Sequence, residues 1–160
     1  IVGLGVACEL ERQCIAAENT TVKRLRDRLE RGILARVANA FVNGDTLYRL
    51  PNTSSIAFEY VEGEGILLLL NQQGIAASSG SACTSGSLEP SHVMRAMGIP
   101  YTAAHGTIRF SLSRYNTEEE VDRVIAAVPP VIAKLRKLSP YWRGDGPVTN
   151  PEQAFQPEYA

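Results

Sequence analysis

Few side chains in this sequence can do covalent chemistry, and they point to one stretch. Residues 76–90 read Ala-Ala-Ser-Ser-Gly-Ser-Ala-Cys-Thr-Ser-Gly-Ser-Leu-Glu-Pro, with one thiol, Cys83, near the middle. A thiolate is both a nucleophile and a sulfur acceptor, so Cys83 is the candidate catalytic residue. With two glycines, five serines and Leu88 as its one large side chain, the run has too little apolar surface to repay the entropy of ordering its backbone. A mobile loop is the expectation. Two readings of its thiol stay open on composition: a nucleophile carried on the loop, or a buried, inert cysteine of the kind common in protein cores.

Arg109 is the second candidate. It lies on the polar side of an alternating segment, between Ile108 and Phe110, where a planar guanidinium can grip a carboxylate with two parallel hydrogen bonds. The competing reading is an ordinary exposed strand arginine. His92 and His105 each have the chemistry to activate Cys83 as a thiol hydrolase would require, although nothing in their spacing brings either to the thiol. Cys8 and Cys14 stand six residues apart in one helical pattern. That spacing does not present two sulfurs to one tetrahedral ion, and no C-x-x-C pair exists, so a metal site on Cys8, Cys14 and Cys83 is not expected.

Bulk composition sets the frame. The 160 residues suit one domain with a core of its own. A formal net charge of −1 favours neither nucleic acid nor an acidic membrane as partner. No apolar run approaches the roughly 18 residues that a membrane span needs, and no signal-peptide pattern is visible. Three cysteines, an odd number, do not suggest a disulfide framework, which favours a reducing, cytoplasmic setting. The chain opens on Ile1-Val2-Gly3-Leu4-Gly5, already apolar and without a methionine, as though cut from something longer.

The elements that must position these groups follow from periodicity. Val6 to Arg31 reads as one long helix, with Leu10, Cys14, Ala17, Val22, Leu25 and Leu29 on a buried face, the arginine and lysine run on a solvated one, and Gly32 as its stop. Asn19-Thr20-Thr21 either interrupt that helix or sit on its wet side. Ile33 to Phe41 forms a short helix or strand before a turn at Asn43-Gly44-Asp45. Ser54 to Val61 alternates as a strand, with Ile56, Phe58 and Tyr60 opposite Ser55, Ala57 and Glu59. A helix buried on most sides follows from Glu62 through Ile66–Leu70 to Gln73, ended by Gly74. Ser91 opens a short helix through Met97. Gly106 to Arg114 is a second strand, with Ile108, Phe110 and Leu112 inward and Thr107, Arg109, Ser111 and Ser113 outward. Thr117 and Glu120 form a capping box; the helix they start carries Val121, Ile125, Val128, Ile132 and Leu135 inward, and Pro129-Pro130 should kink it. The tail after Leu138 is expected extended or docked. The sum is an α+β layer under helices.

The run Ser78-Ser79-Gly80-Ser81-Ala82-Cys83-Thr84-Ser85-Gly86-Ser87-Leu88-Glu89-Pro90-Ser91-His92-Val93 resembles the active-cysteine loop of the NifS and IscS type cysteine desulfurases. Further segments match in the same order: Leu50-Pro51-Asn52, Phe58-Glu59-Tyr60-Val61-Glu62-Gly63-Glu64, Ile108 to Tyr115, and Leu135 to Trp142, whose Ser-Pro-Tyr-Trp ending resembles the nitrogen-fixation branch. The resemblance implies the small C-terminal domain of an aminotransferase-like, fold-type I transferase, with a short mixed or antiparallel sheet covered by helices and preceded by a long linking helix. It divides the chain into a linking helix (1–34), a small domain (35–142) carrying the cysteine loop, and a tail (143–160). It also implies a homodimeric pyridoxal 5'-phosphate enzyme that takes sulfur from L-cysteine, leaves L-alanine, and passes the sulfur from a Cys83 persulfide to an iron-sulfur scaffold protein. In that likeness Arg109 falls on the arginine that binds the substrate carboxylate.

One departure limits what this chain does alone. The family's cofactor lysine lies in a Ser-x-His-Lys type motif more than a hundred residues before the active cysteine, whereas 82 residues precede Cys83 here and Lys23, their sole lysine, sits in no such motif. The family's Gly- and Arg-rich segment before Ile1 and its large-domain cofactor site are also missing from the sequence. Absence of desulfurase activity in the isolated chain is therefore expected. The alternative is a stand-alone persulfide-relay or docking module.

Overall fold

The computed structural model describes residues 1–79, 91–144 and 146–148. Residues 2–34 wind into one helical column: α1 (Val2–Ala17), a π-helical turn (Glu18–Val22) and α2 (Lys23–Leu34). The polar triplet causes the widened turn rather than a break. Asn19 Nδ2 donates to the Ile15 carbonyl at 2.9 Å and Thr20 Oγ1 to that of Ala16 at 2.7 Å, so the side chains satisfy carbonyls that the wider turn leaves behind.

Burial along this column departs from the sequence reading. No residue of α1 is buried and Leu10 is 44% exposed; among the described elements α1 packs chiefly on the turn that continues it. The core begins at Val22 and continues through Leu25, Leu29 and Ile33. The charged run is not uniformly solvated either: Arg26 and Glu30 are buried. Gly32 does not stop the helix. A Cβ there would lie 2.6 Å from Ile125 Cδ1, so this glycine lets α2 approach α6 (Glu118–Leu138) closely.

Strands β1 (Ala40–Val42), β2 (Thr53–Phe58), β4 (Thr107–Ser111) and β3 (Ser78–Ser79) form an antiparallel sheet in the order β1-β2-β4-β3. The result is the α+β layer that the pattern implies. Ile56 and Phe58 of β2 and Ile108 and Phe110 of β4 point to one face, where they join α2, α6 and α3 (Gly63–Asn71) in the core. Alternation then sends Thr53, Ser55, Thr107, Arg109 and Ser111 to the opposite face. Thr107, expected outward and wet, is 1% exposed, because its hydroxyl donates to the Ala103 carbonyl in the short helix α5 (Tyr101–Ala104), which sequence reading missed.

Two other elements shift from expectation. β2 stops at Phe58 because Tyr60 takes φ +65° and turns the chain toward α3. α3 is buried on one side only, through Ile66 and Leu70, while Leu68 is 61% exposed. α6 starts at the Thr117–Glu120 capping box as read, and Pro129 and Pro130 lie inside one continuous helix. The described start of the tail docks: the ring of Trp142 in β5 (Trp142–Arg143, paired with β6, Gly146–Pro147) lies tilted with its centroid 5.7 Å from that of Tyr60, and the Arg136 guanidinium lies 4.2 Å from the Trp142 ring, while residues 149–160 are outside the described residues.

Candidate functional site

The polar face of the sheet carries Arg109, and the strand register decides its neighbours. Ser55 of β2 and Ser78 of β3 each stand directly opposite Arg109. Asn43, just past β1, donates its backbone N–H to the Ser55 carbonyl at 2.8 Å and extends the row to the far edge. Asn43, Ser55, Arg109 and Ser78 thus cross the sheet in one line, with side chains on one face. Arg109 is exposed. Its Nη2 donates to Ser78 Oγ at 3.4 Å, and the Ser78 hydroxyl donates to the Ser79 carbonyl at 3.1 Å. A guanidinium held by its edge from the neighbouring strand, with further N–H groups toward solvent, is poised to take a carboxylate.

The sheet is held from behind by a buried charge pair. Glu30 of α2 receives Arg49 Nη1 and Nη2 at 2.6 and 2.8 Å and the Ser54 hydroxyl at 2.6 Å. Burial alone would raise the Glu30 carboxyl, but the hydrogen bonds from Arg49 and Ser54 outweigh it and hold it below the ordinary range. Arg26 of α2 donates to the carbonyls of Leu50 and Thr53 at 3.1 and 3.3 Å. Together these contacts fix the entry of β2, one residue before Ser55.

The remaining candidates lie elsewhere. Cys83 and most of its loop, residues 80–90, are outside the described residues. His92 is exposed on α4 (His92–Ala96), which Ser91 caps by accepting from the Val93 N–H at 3.3 Å. His105 stacks edge-on at 4.6 Å against Tyr101, with Nδ1 3.9 Å from Glu62 and Nε2 buried without a partner. It borders a cavity of about 270 Å³ among Tyr60, Thr102, Leu135 and Tyr141, which neither Arg109 nor its serine neighbours line. Cys8 is exposed; Cys14 is half-buried and accepts from Arg114 Nη1 at 3.1 Å. Among the described residues no group of three His, Cys, Asp or Glu side chains could hold a metal ion, and no helix is long and apolar enough to cross a membrane.

Sequence reading identified Arg109 but not its company. Ser55 was legible as an outward residue of β2, and Ser78 as the first serine of the family-like run. Their meeting at Arg109 is a matter of register, which a single strand's alternation does not reveal.

The family described as aminotransferase class V matches residues 1–124. The chain is 71% identical over 159 residues to a cysteine desulfurase NifS of Azotobacter vinelandii, covering 99% of this chain and 40% of that protein. It is 70% identical over 159 residues to a cysteine desulfurase of Azotobacter chroococcum mcd 1, again covering 99% and 40%. Among solved structures, a NifS-like protein superposes with a TM-score of 0.70 at 30% identity, over 84% of this chain and 33% of that one. The chain therefore spans about 40% of the length of the curated relatives it matches.

Proposed function

Since this chain belongs to the aminotransferase class V family, we propose that it is the C-terminal part of a cysteine desulfurase, contributing the sulfur-accepting thiol Cys83 and the substrate clamp Arg109. The observation that carries this reading is the pairing of Ser78 with Arg109. It puts Ser78 and Ser79, which precede the Cys83 segment in the chain, on the strand beside Arg109. Cys83 follows Ser79 by four residues, a tether of at most about 14 Å.

In this reading Arg109 holds the carboxylate of L-cysteine. The Cys83 thiolate attacks the substrate sulfur; an S–S bond forms as the substrate C–S bond breaks, and the electron pair left on carbon takes a proton to give L-alanine. The enzyme keeps a persulfide for an iron-sulfur scaffold protein. Pyridoxal phosphate, when bound, supplies the electron sink for such chemistry. The residues present do not fit that group: Lys23, Lys134 and Lys137, the chain's only lysines, are all exposed on helices. Holding it therefore falls to the part of the relatives that this chain does not span, and the working enzyme is a cytoplasmic homodimer of the longer protein, divided at residues 34 and 142 into linking helix, small domain and tail.

The test is intact-mass analysis after incubation with L-cysteine, pyridoxal phosphate and the separately made upstream portion. Wild type gains one sulfur atom and Cys83→Ser gains none. Equal labelling of both, or release of alanine from L-cysteine by this chain alone, refutes the reading.

A further inference from the structure

The hydrogen bonds beside Arg109 have a direction, and it leaves one proton unspent. The Thr107 hydroxyl donates to the Ala103 carbonyl at 3.2 Å, so toward Asn43 it can only accept. This fixes the Asn43 amide with its nitrogen, not its oxygen, toward Thr107 Oγ1 at 3.3 Å. The second hydrogen of the same nitrogen goes to Ser55 Oγ at 3.2 Å, and Asn43 Oδ1 has no partner. Ser55 is therefore an acceptor in this network. Its own O–H is not given to Asn43 and meets no acceptor among the described residues.

That donor, without an acceptor among the described residues, stands beside Arg109. Ser55 faces Arg109 directly across the β2–β4 ladder, and the Cβ atoms of such pairs lie about 5 Å apart. Ser78, on the other side, has no proton to offer, because its hydroxyl is committed to the Ser79 carbonyl while it accepts from Arg109. The two flanking serines differ in role: Ser78 orients the guanidinium, and Ser55 presents a donor. Asn43, 8% exposed and held at three points, keeps Ser55 turned that way.

We propose that Ser55 is a second donor to the substrate carboxylate, adding a hydrogen bond to one oxygen of the group that Arg109 grips. The proposal rests on the reading of Arg109 as carboxylate clamp, and the experiment separates the two. In the full-length enzyme, KM is measured for L-cysteine together with the inhibition constant of cysteamine, the same thiol and amine without a carboxylate. Ser55→Ala raises KM for L-cysteine about tenfold, as expected for losing one hydrogen bond to a charged group. Cysteamine inhibition stays within about twofold of wild type. Ser55→Thr, which keeps the hydroxyl, stays close to wild type with both. Arg109→Gln also weakens L-cysteine and spares cysteamine. If Ser55→Ala leaves KM alone, weakens both ligands equally, or is matched by Ser55→Thr, Ser55 is not a donor to the carboxylate, while the Arg109 result still stands. If Arg109→Gln fails to distinguish the two ligands, the clamp reading falls and the role of Ser55 falls with it.

Discussion

Replacing Glu30 with glutamine tests how the sheet that carries Arg109 is held. The Glu30 and Arg49 side chains are 10% and 16% exposed, and the pair is bidentate, with Ser54 adding a third hydrogen bond. Removing one partner of a buried pair costs about 3–5 kcal/mol, because the other charge is left without its counterpart. Arg49 keeps some access to water, and a glutamine oxygen can still accept from Ser54, so the lower end applies: about 3 kcal/mol. For a chain of this size that lowers Tm by about 6–12 °C. The assay is urea and thermal denaturation from pH 3 to 8. Glu30 has a lowered folded carboxyl pKa, so its contribution is fully present above the unfolded value near pH 4.3 and is lost as pH falls through the folded value. Glu30→Gln should therefore be less stable than wild type at neutral pH and converge on it in acid. The double variant Glu30→Leu with Arg49→Met should recover most of the loss at pH 7. A neutral-pH loss below about 1 kcal/mol, or a gap that does not shrink in acid, refutes the reasoning.

Two further substitutions probe the packing around it. Gly32→Ala places a methyl 2.6 Å from Ile125 Cδ1; overpacking of about 1–3 kcal/mol exceeds the gain of about 0.5–1 kcal/mol from alanine in a helix, giving net destabilisation in urea melts. In an Ile125→Ala background the same change should become stabilising, and simple additivity would contradict the close approach of α2 to α6. Thr117→Ala removes the capping-box acceptor of α6 and should cost about 1 kcal/mol, with Thr117→Ser close to wild type; equal stability of all three would show that the cap contributes nothing.

Local patterns carried much of the fold. Alternation located β2 and β4, and the Thr117-x-x-Glu120 spacing located the start of α6. What failed were statements about what covers a face. Periodicity puts Leu10 and Val22 on related positions of one helix, yet Leu10 is exposed and Val22 is 1% exposed. The difference lies in the neighbour: the buried cluster that the column forms with α6 and the sheet takes in Val22 and no residue of α1. Gly32 shows the same limit, since a glycine that lets two helices touch and one that ends a helix look alike in a single sequence.

The site divides along the same line. Arg109 was legible because it is the one charged residue on the polar side of β4 and falls in a family-like segment, whereas Ser55 looks like any outward strand serine. Its significance comes from four other groups: the Ala103 carbonyl orders Thr107, Thr107 orders Asn43, Asn43 orders Ser55, and the ladder sets Ser55 against Arg109. With Ser55 itself they come from three separate stretches of chain, at 43, 55 and 103–109, so no short window of sequence contains the relation. A proton's direction is a property of the closed network and not of any member. If that network works as described, Asn43→Asp, nearly identical in shape, should mimic Ser55→Ala in raising KM for L-cysteine, because a carboxylate at position 43 can only accept and would take the proton that Ser55 otherwise offers to the substrate. Kinetics indistinguishable from wild type would mean that the Ser55 proton is not directed by Asn43.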